Sequence, residues 1–133
     1  MKISDSARNA AVNAVAGLLD GGSSNANIYV RTGAAPTNTT DADSGTLLAT
    51  LPMSDPAFGS ATGGTAAANA ITSDTNIAAT GTVGHFRAKD SNGVTVLQGS
   101  CGTSGADINF DSVSFIACGT CAITSLTLTQ PAS

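Results

Sequence analysis

Val83-Gly84-His85-Phe86-Arg87-Ala88-Lys89, then Asp90-Ser91-Asn92-Gly93, then Val94-Thr95-Val96-Leu97-Gln98, is the stretch that decides the fold. Two runs suited to strands flank a turn ending in Asn-Gly, the pair that tolerates the positive backbone angles of a tight hairpin. Successive strand side chains point to opposite faces, so Phe86 falls opposite His85 and Arg87. This predicts a hairpin with one buried side and one wet side, and reads His85, Arg87 and Lys89 as a solvated strand face.

On either side of this hairpin the same pattern repeats. Ile28 to Thr32 is β-branched and aromatic and closes at Gly33; Thr46 to Leu51 forms a second strand stopped by Pro52, before the Asp55-Pro56 turn. Thr65 to Thr72 is rich in alanine, yet it is bracketed by Gly63-Gly64 and Ser73-Asp74 and is assigned to a strand. Asp107 to Phe110, Val113 to Ala117 and Ala122 to Gln130 complete the set. About eight short strands, punctuated by turns and not alternating with helices, predict a mainly β chain: an antiparallel β-sandwich of jelly-roll type. At 133 residues the chain fits one domain, with the β-sandwich over residues 27–130.

The exception is residues 4–20, a predicted N-terminal helix. Ser4 or Asp5 suits the N-cap, and Gly21-Gly22 suits the end. Ala7, Ala11, Val15 and Leu18, with Leu19 alongside, form one apolar stripe turned toward a partner. Asn9 and Asn13 interrupt the apolar run and Asp5 and Arg8 charge its start, so it reads as a soluble helix, neither an export signal nor a membrane span. Ala34 to Ser44, with Pro36, three threonines and two aspartates, has no periodicity and reads as a mobile loop.

Chemistry-bearing side chains are scarce. The chain has one histidine, no tryptophan and 11% charged residues. A Ser-His-Asp triad would have to use His85, no G-x-S-x-G is present, and the glycine pairs lack the lysine of a phosphate loop. Asp41 with Asp43, and Asp107 with Asp111, match neither a calcium loop nor an acid–base pair, although a weakly held surface cation fits the composition. The net charge is −4 and the five basic residues are scattered, which argues against direct nucleic-acid binding. The sequon at Asn38 matters only if the chain meets a glycosylation enzyme. No catalytic, cofactor-binding or metal-binding residue is assigned.

Cys118-Gly119-Thr120-Cys121 with Cys101 and His85 supplies the donors of a Cys3His zinc set, but the spacings match no such pattern, and the C-x-x-C lies between strands, away from any thiol-activating helix. Reduced thiols are the favoured reading. The alternative is one disulfide, from Cys101 to Cys118 or to Cys121, because a bridge within the C-x-x-C closes a strained loop.

Five further segments carry a resemblance: Ile3-Ser4-Asp5-Ser6-Ala7-Arg8-Asn9-Ala10; Ile28-Tyr29-Val30-Arg31-Thr32-Gly33-Ala34-Ala35-Pro36; Ser44-Gly45-Thr46-Leu47-Leu48-Ala49-Thr50-Leu51; Asp55-Pro56-Ala57-Phe58-Gly59; and Leu126-Thr127-Leu128-Thr129. Over nearly its whole length the chain resembles small virion structural proteins of tailed bacteriophages. The resemblance implies a part of the phage particle made in the host cytoplasm. Within it the expected role is a capsid decoration, or cement, protein: a homotrimer on the outer head surface that binds the major capsid protein, without enzymatic activity. A tail or baseplate component with a receptor-binding role is the alternative. The cysteines belong to no motif of the resemblance. A core built largely of alanines also gains from association, since each alanine buries little area. The N-terminal segment and the loop from Ala34 to Ser44 are the expected contact regions.

Overall fold

In the computed structural model, which describes residues 1–133, the decisive hairpin sits at the centre of the molecule. The elements in chain order are α1 (Asp5–Leu19), β1 (Asn27–Thr32), β2 (Leu47–Pro52), β3 (Thr65–Ala67), β4 (Gly81–Lys89), β5 (Thr95–Gly102), β6 (Ile108–Asn109), β7 (Ser114–Phe115) and β8 (Thr127–Thr129). The chain is mainly β with one N-terminal helix, as its turn-punctuated sequence predicts. The larger sheet runs β2-β1-β4-β5-β6, with β7 also paired to β4, and β3 with β8 makes a second, two-stranded sheet. Pairing is antiparallel except between β5 and β6, where Cys101 lies opposite Ile108 and Gly102 opposite Asn109.

The turn after β4 forms as its sequence requires. Gly93 takes a φ of +85°, open to glycine without steric cost, and the Asp90 carboxylate accepts from the backbone N–H groups of Asn92 and Val94. On one face of β4, Phe86 and Ala88 join Ile28 and Val30 of β1 in a single core, which Val12, Ala16 and Leu19 of α1 close from outside. Leu126 and Leu128, around β8, meet Phe86 and Leu97 at a small cavity of about 130 Å3.

The other face of β4 departs from the expectation. His85 and Arg87 are each only 1% exposed, so both sides of the strand are covered. The cover is the segment between β1 and β2, which lies back across the sheet. Pattern reading identifies which residues share a face; it does not see a loop remote in sequence folding over them.

Four strands are shorter than predicted: β3 and β8, and also β6 and β7, which keep two residues each. β3 ends at Ala67 because the following backbone bonds elsewhere: Asn69 N–H to Ala57 O, and Thr72 N–H to Pro52 O. Its partner β8 is limited with it. β2 instead runs one residue further, through Pro52. It is an edge strand, where a missing N–H costs little. Its free side is capped by Asp74, whose carboxylate accepts from Thr50 N–H at 2.8 Å, and by Ala78 N–H donating to Leu48 O. This protects the edge from pairing with another chain.

Helix α1 starts where Ser4 accepts from Ala7 N–H, and ends as the Asp20 and Gly21 N–H groups turn back to Gly17 O and Leu18 O. No helix is long and apolar enough to cross a membrane.

Candidate functional site

The covering segment, residues 33–45, is a strap with a glycine at each end. Gly33 has φ +76° and Gly45 φ +69°, both in the region that favours glycine. Next to the first hinge, Gly84 passes so close to Gly33 that a Cβ there would run into the Gly33 carbonyl. His85 holds the same point, with Nδ1 donating to Gly33 O at 2.9 Å; its Nε2 is buried without a hydrogen-bond partner.

The centre of the strap is fixed by Arg87. A guanidinium carries five N–H donors in a planar fork, and each one here has an acceptor. Nε donates to Gln98 Oε1 at 3.1 Å. Nη1 donates to Asp41 O at 2.9 Å and to Asp43 Oδ1 at 2.7 Å, and Nη2 to Asn38 O at 3.0 Å and Thr39 O at 3.2 Å. Gln98 also donates to Pro36 O, and Arg31 donates to Ser44 O and Gly45 O. Lys89 Nζ reaches Asp43 Oδ2 at 2.8 Å and lies 5.5 Å from the centroid of the Tyr29 ring. Hydrogen bonds from Lys89 and then Arg87 hold the Asp43 carboxyl at about 2, well below its ordinary range. The segment expected to be a mobile loop is thus tied down by five side chains of the sheet.

The other carboxylates singled out by spacing have mainly local roles. Asp41 Oδ2 accepts from Asn38 N–H, Asp107 Oδ2 accepts from Ser100 N–H, and Asp111 lines a cleft. The three thiols are free. Burial, with smaller contributions from Cys121 and Asp107, pushes Cys101 up to about 12; burial and Asp74 push Cys121 to about 11. Cys118 is exposed, at a φ of +69°. His85, at the strap hinge, does not join the cysteines, and no three His, Cys, Asp or Glu side chains come together as a metal site.

Two open clefts remain. One, of about 390 Å3, is walled by Ile77, Phe115, Ile116 and Phe110, whose ring meets that of Phe115 edge-on at 5.3 Å. The other, of about 430 Å3 and mostly polar, lies between the strap and the β4–β5 turn.

The helix adds a surface that the periodicity shows in part. Its side toward the body carries Val12, Ala16 and Leu19, and also most of its polar groups. Asn9 Oδ1 accepts from Gly64 N–H, Asn13 Oδ1 from Ala61 N–H, Asp20 Oδ1 from Ala57 N–H, and Arg8 Nε donates to Gln130 O. Ala7, Ala10, Ala11, Ala14, Gly17 and Leu18 are left outward, with Leu18 62% exposed. Surface helices ordinarily do the reverse, with polar groups out and apolar groups in. Of the predicted stripe, Ala7, Ala11 and Leu18 point away from the body and Val15 is half-buried.

Sequence reasoning missed the Arg87–Asp43 clamp. A signal was present: in a chain with so few charges, Arg31, Arg87 and Lys89 on strands and two aspartates in one loop that holds no cation are natural partners. No protein-family model matches the chain, and neither the curated proteins nor the solved structures give a significant match.

Proposed function

We propose that this protein is a non-enzymatic structural component of a tailed-phage virion: a capsid decoration protein that self-associates, as a homotrimer, and binds the major capsid protein on the outer head surface. The resemblance of the sequence supplies the virion. The observation that favours an assembly role is the outward face of α1. A 15-residue helix is about 22 Å long at 1.5 Å per residue, and its outward arc is alanine, glycine, serine and leucine, with Asn13 exposed at its edge and Asp5 exposed in the first turn. Small side chains let another backbone approach closely, and a face without charge suits a partner that is also uncharged. A second copy of the same helix meets both conditions. A tied-down strap, a capped sheet edge and two thiols, Cys101 and Cys121, raised away from reactivity also suit a part whose work is to hold its shape.

The test has two arms. Light scattering on the purified chain is expected to give a trimer that Ala11→Arg converts to monomer without loss of fold. A density map of virions is expected to place the chain at symmetry-related sites outside the head shell. Density in the tail alone would overturn the decoration role in favour of a tail or baseplate component; a wild-type monomer on light scattering would remove the argument from α1.

A further inference from the structure

The polar cleft between the strap and the β4–β5 turn is independent of the helix face and of the assembly reading. Three of its four charged groups, Asp43, Arg87 and Lys89, are already matched to one another. The five donors of Arg87 are all engaged, one of them with Asp43 Oδ1, and Asp43 Oδ2 is held by Lys89. Asp41, Asp43, Arg87 and Lys89 are the charged residues of the lining, two of each sign, so no net charge is available to hold an ion.

What the fold leaves unengaged is of another kind. Thr39, Thr40 and Thr95 line the cleft, and their hydroxyls have no partner within the chain. Asp41 uses only Oδ2, on Asn38, so its Oδ1 is free to accept. Lys89 has ammonium protons beyond the one given to Asp43. Beside these, Val94 is 58% exposed, an apolar surface in a polar rim. Hydroxyls that can both donate and accept, one charged acceptor, one charged donor and an adjoining apolar patch complement a sugar ring, which has hydroxyls around its edge and C–H groups on its face. The Arg87 clamp fixes the strap side of the cleft in advance, which lowers the ordering cost of binding.

We propose that this cleft binds a neutral saccharide unit. The cleft is open and offers few contacts, so the expected dissociation constant is on the order of 1–10 mM. The full chain, labelled with 15N, is titrated by NMR with methyl glycosides of glucose, galactose, mannose and N-acetylglucosamine, and with glucuronate and glucosamine as charged counterparts. At least one neutral glycoside is expected to give saturable shifts confined to residues 39–43, 87, 89 and 93–95. Thr40→Val and Thr95→Val, which exchange a hydroxyl for a methyl, are each expected to weaken that binding by roughly three- to tenfold, with the remaining resonances unmoved. The proposal is overturned if no neutral glycoside saturates, if saturable shifts fall elsewhere, if the valine variants bind unchanged, or if only the charged sugars bind.

Discussion

Replacing Asp43 with asparagine keeps the shape of the side chain and removes the charge that three sheet cations share. Arg87 lies 2.7 Å from this carboxylate, Lys89 2.8 Å and Arg31 3.9 Å, and the Arg87 side chain is 2% exposed. A carboxyl drawn from 3.8 to about 2 favours the folded state when ionised, by at most about 2.5 kcal/mol at roughly 1.4 kcal/mol per pKa unit; Asp43 is exposed, and solvent screening brings this to about 1 kcal/mol. The sign follows from the direction. The folded value lies below the unfolded one, so the contribution is complete above about pH 4 and is lost as pH falls through the folded value near 2. Asparagine Oδ1 can still accept from Arg87, but the nearly buried guanidinium loses its counter-charge, which adds to the cost and places the total at about 1–3 kcal/mol near pH 7. The assay is urea unfolding followed by far-UV circular dichroism from pH 7 to pH 2, on wild type and Asp43→Asn. The two curves should be furthest apart at neutral pH and converge toward pH 2. A variant less than about 0.5 kcal/mol destabilised at pH 7, or a gap that stays constant with pH, would refute the clamp as the source of stability.

Gly84→Ala should cost at least about 2 kcal/mol, because the new methyl meets the Gly33 carbonyl, and thermal unfolding will register it as a lowered midpoint. Arg87→Lys should destabilise by about 3 kcal/mol or more, since one ammonium cannot reach the acceptors of a five-donor fork; hydrogen exchange should show the strap 33–45 losing protection before the β1–β4 ladder. Native alkylation near pH 7.5 should modify Cys118 at least about tenfold faster than Cys101 or Cys121, as read by peptide mass spectrometry, with the latter two reacting only on unfolding. Ala11→Arg should leave monomer stability within about 0.5 kcal/mol, as an exposed substitution does, so any change in its sedimentation or light scattering reports association alone.

What was legible in the sequence was local. The helix with its cap at Ser4, the glycine stop after it and the hairpin through Asn92-Gly93 are each determined by residues within a few positions of one another, so pattern and propensity suffice. The strap was illegible for the converse reason. Arg87 and Asp43 are 44 positions apart, and nothing in the alternation of β4 distinguishes a face turned to water from one turned to a polar loop. Polar side chains occupy both kinds of face, and only the pairing tells them apart. The same limit explains why the periodicity of α1 suggests one apolar stripe. Alanine at three- and four-residue spacing marks two faces at once in a helix this poor in charge, and the choice between them was made by Asn9, Asn13 and Asp20 finding backbone donors between residues 57 and 64. Once those polar groups are committed inward, the apolar remainder has no neighbour within the chain. Its natural complement is a surface that the single chain does not contain, and that is the physical ground for looking for this protein in an assembly.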